Sequence, residues 1–439
     1  MNIAETFTGT IHNLSSGGLG VCTHPSGRTV FVSGAWLGES GQFKIQRLKG
    51  WVGFANVVTL DVQSPHRVTP ICSSHGYGAN HCGGCSWMFV DYEAQLSAKQ
   101  QRVKATLKRV LNETTSSKAP KRVGQWLERI ETIWPSPNPL GYRNRAQLKT
   151  DGQKLGYLAL KSNQLVDVEQ CLILSPSNQQ TLSALREKLP NTEWRTRAPS
   201  QHSRRHAKTS LKGAGNSTQI RGFNAPAGPV HGHHKKRKVA WTTLDIDEDT
   251  DADNVQINRR LPFRQANSAQ NQRMQTWLSE RLQTIRGVSQ SPLKVLELFC
   301  GSGNFTEVIA NAGFDDIVAV ECIAQALQAL DKKQLRNVST TLCDLYDNKA
   351  FTTLMQTHHN ADVLILDPPR DGLKTIDCLF THSAKCNSYR DVLYISCNLA
   401  TFSRDLVTFV EAGFSVQQIQ PLDQFPQTPH IELLCHLSK

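Results

Sequence analysis

Three runs near the carboxyl end of the chain carry residues able to do chemistry on an organic substrate. In YISCNLATFSRDL, Cys397 follows an apolar, strand-like stretch and Asn398 comes directly after it. A cysteine attacks carbon through its thiolate, so this position calls for a nearby base or a lowered pKa. In ILDPPRDG, Asp367 ends a second apolar stretch, and two prolines stiffen the exit. In TPHIELL, Glu432 opens a third, close to His430. A carboxylate there is poor packing and a plausible general base.

A fourth run, VLELFCGSGNF, is a strand, a glycine turn and the start of a helix. Gly301 and Gly303 let the backbone turn tightly and approach a ligand at a helix N-terminus. Glu321 ends the following strand, where an acid can accept hydrogen bonds from ribose hydroxyls. Phe305 and Thr306 stand where a dinucleotide fingerprint continues to its third glycine. The turn therefore favours S-adenosylmethionine over a nicotinamide dinucleotide.

The chain has 12 cysteines. Its first residues, MNIAETFTGTIHNL, have neither the basic start nor the apolar stretch of a secretory signal, which predicts a cytoplasmic protein. In a reducing compartment clustered cysteines read as metal ligands or reactive groups, not disulfides. Cys72, Cys82 and Cys85, with Cys171 further on, form such a group around a CGGC loop. An iron–sulfur cluster fits it. The neighbouring His75 and His81 leave zinc open, and a redox CxxC is a third reading.

These residues need elements to hold them. From about residue 255 strands alternate with helices: MQTWLSERLQTI, KVLELF, NFTEVIANAG, DIVAVE, AQALQALDKKQL, ADVLILD, DVLYIS and IELLCHL. Such alternation implies an α/β domain with a mostly parallel sheet and ligands at its carboxyl edge. Residues 1–62 read as short strands broken by Gly, Pro and Ser, which predicts a small β-barrel. Residues 63–262 mix a cation-rich helix with strand-like pieces. Within them, 195–253 reads as a flexible insertion, with 11 Lys and Arg and no acid up to Lys238, then 6 acids in LDIDEDTDAD. The formal net charge of +12 favours a polyanionic partner. No stretch approaches the apolar length of a membrane span.

Taken in order, the CGGC cluster, YRNRAQLKT, VDVEQC, FRQAN, ELFCGSGNF, DPPR, YISCN and QFPQTPHIE resemble the bacterial RNA (uracil-5-)-methyltransferases. The resemblance is nearest to the 23S rRNA type, which carries an N-terminal TRAM domain and a 4Fe–4S cluster. It runs over nearly the whole chain except 195–253. It implies a Rossmann-like methyltransferase domain at 263–439, behind an RNA-binding, OB-like TRAM barrel at 1–62 and a central α+β iron–sulfur domain at 63–262. It also implies that Cys72, Cys82, Cys85 and Cys171 ligate the cluster. Gln265, Phe299, Asn304, Glu321, Asp344 and Asp367 would line the pocket for S-adenosylmethionine and the target base. Cys397 would be the nucleophile and Glu432 the base. The expected product is 5-methyluridine in 23S rRNA, made by a monomer. A tRNA methyltransferase and a non-catalytic RNA-binding assembly factor are the alternatives.

Overall fold

The computed structural model describes residues 1–114, 125–195, 241–289, 291–380 and 389–439. The described residues form three sheets, each with its own apolar core.

The first sheet has six strands: β1 (Thr6–Thr10), β2 (Asn13–Leu14), β3 (Gly20–Thr23), β4 (Thr29–Ser33), β5 (Ser40–Lys49) and β6 (Val52–Val62), in the order β1-β5-β6-β4-β3-β2. It curls around Phe7, Val30, Val32, Phe43, Ile45 and Ala55. The curl is tight enough that the His12 amide, just past β1, donates to the Val21 carbonyl of β3 at 3.0 Å. Along β5 buried and exposed residues alternate, the period of a strand with one face in a core.

Helix α1 (Tyr92–Thr114) leads through the short α2 (Gln125–Glu128) into the second sheet. This sheet comprises β7 (Arg145–Thr150), β8 (Leu155–Leu158), β9 (Leu165–Asp167) and β10 (Thr242–Asp247), ordered β10-β7-β8-β9. Helix α3 (Pro176–Glu187) covers it; Ser175 caps its start and proline takes its first position. The reading of 195–253 as one flexible insertion is corrected at its acidic end, while residues 196–240 lie outside the described residues. β10 pairs with β7 over six residues, and Leu244 and Ile246 are fully buried. The acids flanking them meet folded cations: Asp245 pairs with Arg145 at 2.6 Å and Asp253 with Lys188 at 2.6 Å. Period-two apolar residues outweigh the charge count here.

The third sheet has seven strands: β11 (Lys294–Leu298), β12 (Asp316–Glu321), β13 (Val338–Leu342), β14 (Val363–Leu366), β15 (Asp391–Ser396), β16 (Ser415–Leu422) and β17 (Glu432–Ser438). Their order is β13-β12-β11-β14-β15-β17-β16. Helices α4 (Ser268–Gly287), α5 (Thr306–Asn311), α6 (Ala324–Asp331), α7 (Asn348–His358) and α8 (Leu399–Glu411) accompany it. Buried on both faces, its central strands are continuous apolar runs, as in VLIL of β14. Strands β11 to β15 are parallel, and β17 is antiparallel to both its neighbours. That reversal brings the first residue of β17 to the edge where the parallel strands end.

Candidate active site and cysteine centre

The parallel strands end on chemistry. One residue past β11 lies Phe299, whose φ of 66° is a strained conformation for a bulky side chain. The turn continues through Gly301 (φ 55°) and Gly303 (φ 89°). A Cβ on Gly303 would stand 2.5 Å from Leu330 Cδ1 of α6, so a side chain there would have to displace Leu330. At the end of β12 the Glu321 carboxylate accepts from the amides of Cys322 (2.8 Å) and Ile323 (3.0 Å) through Oε1, and from Gly301 (3.1 Å) through Oε2. Oε2 keeps capacity for a further donor. Past β13, Asp344 is exposed and accepts from the Tyr346 amide at 2.9 Å. The Tyr346 ring meets Phe299 at 5.9 Å.

Asn304 faces α4: it exchanges amide hydrogen bonds with Asn271 (2.9 Å each way) and accepts from Gln275 at 3.2 Å. Gln265, ahead of α4, is tied to the loop after β16, its Oε1 accepting from Gln424 at 3.2 Å. Phe299, Glu321, Asp344 and Asp367 thus share one edge of the sheet, whereas Gln265 and Asn304 flank the start of α4.

The thiol and the carboxylates come together through register. β15 and β17 pair antiparallel as far as Ser396 opposite Leu433, so Cys397 and Glu432 are the next residues at the end of that ladder. They lie close enough for Glu432 to act electrostatically on the thiol. β14, next to β15, delivers Asp367 at its end. Asn398 caps α8 by accepting from the Ala400 amide (3.0 Å), and its Nδ2 donates to the Arg370 carbonyl (2.8 Å). Thr401 donates to the same carbonyl at 3.2 Å, so the Asp-Pro-Pro-Arg turn is fastened to the turn that carries Cys397.

This closeness has electrostatic consequences. Burial, reinforced by Glu432 and Asp367 and opposed by Arg370, pushes the Cys397 thiol up to about 12. Burial and Asp367 hold Glu432 well above the usual carboxyl range, again against Arg370. Asp367 itself, enclosed by protein around its carboxyl although the residue is only half-buried, is pushed up to about 7. In β11 the buried Glu297 rises to about 8 and accepts from the Thr306 hydroxyl at 2.6 Å. Arg370, the cation opposing both shifts, and the Glu297–Thr306 pair were not singled out by sequence reasoning. Arg370 lies inside the quoted DPPR run, where a cation beside a nucleophile was the available signal.

The four cysteines Cys72, Cys82, Cys85 and Cys171 line one small cavity, with Met88, Tyr157, Val168 and Ile173 among its walls. Burial raises the Cys82 thiol to about 11 and lifts Cys85 and Cys171 as well, and the neighbouring thiols raise Cys82 and Cys85 further. His75 Nε2, also in this lining, is buried with no hydrogen-bond partner among the described residues. The Tyr157 hydroxyl makes no hydrogen bond to nitrogen or oxygen among the described residues and sits beside Cys171. Among the described residues no three His, Cys, Asp or Glu side chains gather tightly enough for a metal ion. A single zinc needs sulfurs at about 2.3 Å from one point. Four cysteines facing one cavity are the donor set an iron–sulfur group requires.

A doubly wound sheet with a glycine turn after its first strand is the framework of the Rossmann-like methyltransferases, and the carboxyl-terminal part of the chain has it. The tRNA (uracil-5-)-methyltransferase family profile matches residues 230–439. Over 99% of its length the chain is 38% identical to an RNA methyltransferase of Nitrosomonas europaea, covering 97% of that protein. It is 30% identical to the 23S rRNA (uracil(1939)-C(5))-methyltransferase RlmD of Halomonas elongata, covering 96% of this chain and 87% of that one. In fold it resembles the Pyrococcus abyssi tRNA (uracil-54, C5)-methyltransferase, solved with S-adenosyl-L-homocysteine. That match has a TM-score of 0.59 and 19% identity, and covers 98% of this chain and 100% of the other. The chain belongs to the RNA (uracil-5-)-methyltransferases, enzymes that use S-adenosylmethionine to methylate carbon 5 of uridine in RNA. Among the described residues no helix is long and apolar enough to cross a membrane.

Proposed function

We propose that the protein methylates one uridine of 23S rRNA in the cytoplasm, as a monomer, through a covalent bond between Cys397 and the uracil ring, with Glu432 as general base. The observation that supports this reading is that Cys397 and Glu432 follow directly on the last β15–β17 pair, Ser396 opposite Leu433, at the edge where the parallel strands end.

Carbon 5 of uracil is a weak nucleophile. The Cys397 thiol gives up its proton to solvent, and Sγ adds to carbon 6, forming a carbon–sulfur bond and leaving an enolate. Carbon 5 of that enolate takes the methyl group from the donor's sulfonium, whose bond to that methyl breaks to release a neutral thioether; Phe299, Asn304, Glu321, Asp344, Asp367 and Gln265 would line the pocket for the donor and the base. Glu432 then takes the carbon 5 proton, and the carbon–sulfur bond breaks to return the Cys397 thiolate. The raised pKa of Glu432 makes it a stronger base. While the sulfur is bonded to carbon it carries no charge, so the mutual like-charge penalty of the pair is lifted for that step.

The uridine must leave its stack to reach this edge, at a cost of about a few kcal/mol. Contacts of the curled N-terminal sheet with RNA can offset it, as binding remote from the reacting atoms does generally. The similarity to the Halomonas elongata enzyme over almost the whole chain supports the ribosomal substrate. Cys72, Cys82, Cys85 and Cys171 would hold a 4Fe–4S cluster, which would cross-link the CGGC loop to the chain at Cys171.

Cys397→Ala tests the reading. It is expected to abolish methyl transfer and the stable adduct with 5-fluorouridine RNA while folding persists; full activity defeats the assignment. Mapping of 5-methyluridine lost on deletion tests the substrate, and a loss confined to tRNA overturns it. Anaerobically purified protein is expected to be brown and to contain iron; a colourless protein with stoichiometric zinc overturns the cluster.

A further inference from the structure

The nine residues between β16 and β17, DQFPQTPHI, run straight into Glu432; several of their polar groups are held by the stretch from Trp87 to Arg102 that follows the CGGC loop, while Asp423 and Gln424 are also bonded to Trp134 and to Gln265, Asn267 and Gln270 around the start of α4. Phe425 packs in the same apolar cluster as Cys72, Cys85, Cys171, Met88, Tyr142 and Ile173. The Tyr142 hydroxyl donates to the Pro426 carbonyl at 3.2 Å. Two residues past Cys85, the Trp87 amide donates to the Gln427 carbonyl at 2.9 Å.

From α1, Gln95 closes a reciprocal pair with Gln427. Its Nε2 donates to Gln427 Oε1 and its Oε1 accepts from the Gln427 amide, each at 3.0 Å. One turn further along α1, Lys99 is fully buried against Asp423 at 2.5 Å, and Arg102 donates to the Pro429 carbonyl. Gln427 is held at φ 67°, a conformation a non-glycine residue keeps only when its surroundings fix it. The loop that presents the carboxylate is therefore shaped largely from outside the catalytic sheet, and Phe425 packs against the same apolar cluster as three of the four cysteines.

We propose that Phe425 and Gln427 are positioning residues that couple the four-cysteine centre to Glu432, so that an intact centre is required for removal of the carbon 5 proton. The proposal rests on the reading of Glu432 as the base. It gives the centre a task in the reaction without electron transfer: it braces the loop from which the base works. A base displaced by loop loosening leaves the earlier steps in place. Thiol addition depends on Cys397, and methyl transfer on the donor pocket. What slows is the last step, and the methylated, covalently bound RNA must then accumulate.

The experiment compares Phe425→Ala, Gln427→Gly and Cys85→Ser with Glu432→Gln and the unaltered protein. Gln427→Gly suits the local φ and deletes only the side-chain half of the clasp, so it serves if the other variants fold poorly. The readouts are kcat, KM for RNA, single-turnover methyl transfer, and the fraction of RNA in a denaturation-stable complex with the protein. All three variants are expected to lose kcat by about tenfold or more, with KM and single-turnover transfer changed by less than about threefold. The stable complex should rise from a trace towards the Glu432→Gln level.

Loss of kcat without the complex, or a raised KM for RNA with the complex still at a trace, overturns the coupling; the second result marks the loop as an RNA contact. A Cys85→Ser protein with normal turnover overturns the part assigned to the centre. If Glu432→Gln itself accumulates no complex, the base assignment fails and the inference falls with it. If only the loop variants fail to do so, the base assignment stands.

Discussion

Thiol–disulfide exchange at Cys397 in the free enzyme is expected to be slow, and by an amount the site's electrostatics fix. A thiol held at about 12 is ionised to only ~3 × 10⁻⁵ near pH 7.5, against ~0.1 for an ordinary thiol. The deficit is about three and a half powers of ten. Each thiolate is more nucleophilic as its pKa rises, with a slope of about 0.4–0.5, which returns about one and a half powers of ten. Cys397 should therefore react about a hundredfold more slowly than a free thiol with an aromatic disulfide reagent, before any loss from restricted access.

The assay is the rate of labelling at Cys397, followed by peptide mass spectrometry so that the other cysteines do not interfere. Access alone would scale the rate without bending its pH dependence. The electrostatic account requires the logarithm of the rate to climb by about one per pH unit with no plateau up to about pH 10. Arg370→Gln removes a cation that opposes the shift and should slow the reaction further; Asp367→Asn should speed it. A plateau near pH 8, or a rate matching a free thiol, refutes the reasoning. In that event the thiolate is preformed, and substrate binding is not needed to activate it.

Gly303→Ala should lose affinity for S-adenosylmethionine by about tenfold or more and destabilise the fold by about 1–3 kcal/mol, because a Cβ at φ 89° would stand 2.5 Å from Leu330. Calorimetric titration and thermal melting check both. Lys99→Met should cost about 3–5 kcal/mol in urea unfolding, since it leaves Asp423 buried and charged; adding Asp423→Asn should restore part of that. Glu297 titrates near 8 in the fold against an ordinary 4.5, so the folded protein keeps a proton that the unfolded chain releases. Its contribution to stability is full below about pH 4.5 and is lost as pH rises through about 8. Asp367, raised to about 7, acts in the same direction. Glu297→Gln should therefore flatten the decline in melting temperature between pH 5 and 8; parallel curves for the two proteins would contradict this.

The buried strands of the catalytic sheet were legible because a strand covered on both faces reads as an unbroken apolar run, as VLIL and VLYIS do. β13, VSTTL, gave no such signal: it is an edge strand without a fully buried residue. β16 was hidden by its glutamines, although Gln420 is buried and donates to the Thr132 carbonyl at 2.8 Å. The acidic run around Leu244 reads as flexible from its charge, whereas strand formation there depends on two alternate apolar residues and a β7 partner about a hundred positions away.

At the site, the residue types of Cys397, Asp367 and Glu321 were visible as strand ends in the sequence. Their relation to Glu432 was not. It follows from the reversal of β17 and its register against β15, long-range pairings that no local pattern encodes. The same is true of the clasp between α1 and the loop ahead of Glu432, whose partners Gln95 and Gln427 lie more than three hundred residues apart.

The most direct test of the central claim follows both partners of the substitution at once. RNA carrying tritium at carbon 5 of uridine is incubated with the protein and a donor whose methyl group is labelled with carbon-14. The account predicts that carbon-14 appears only in 5-methyluridine, that one tritium reaches solvent for each methyl transferred, and that Cys397→Ala stops both together. Label on a ring nitrogen or a ribose oxygen, or methylation without tritium release, would contradict it.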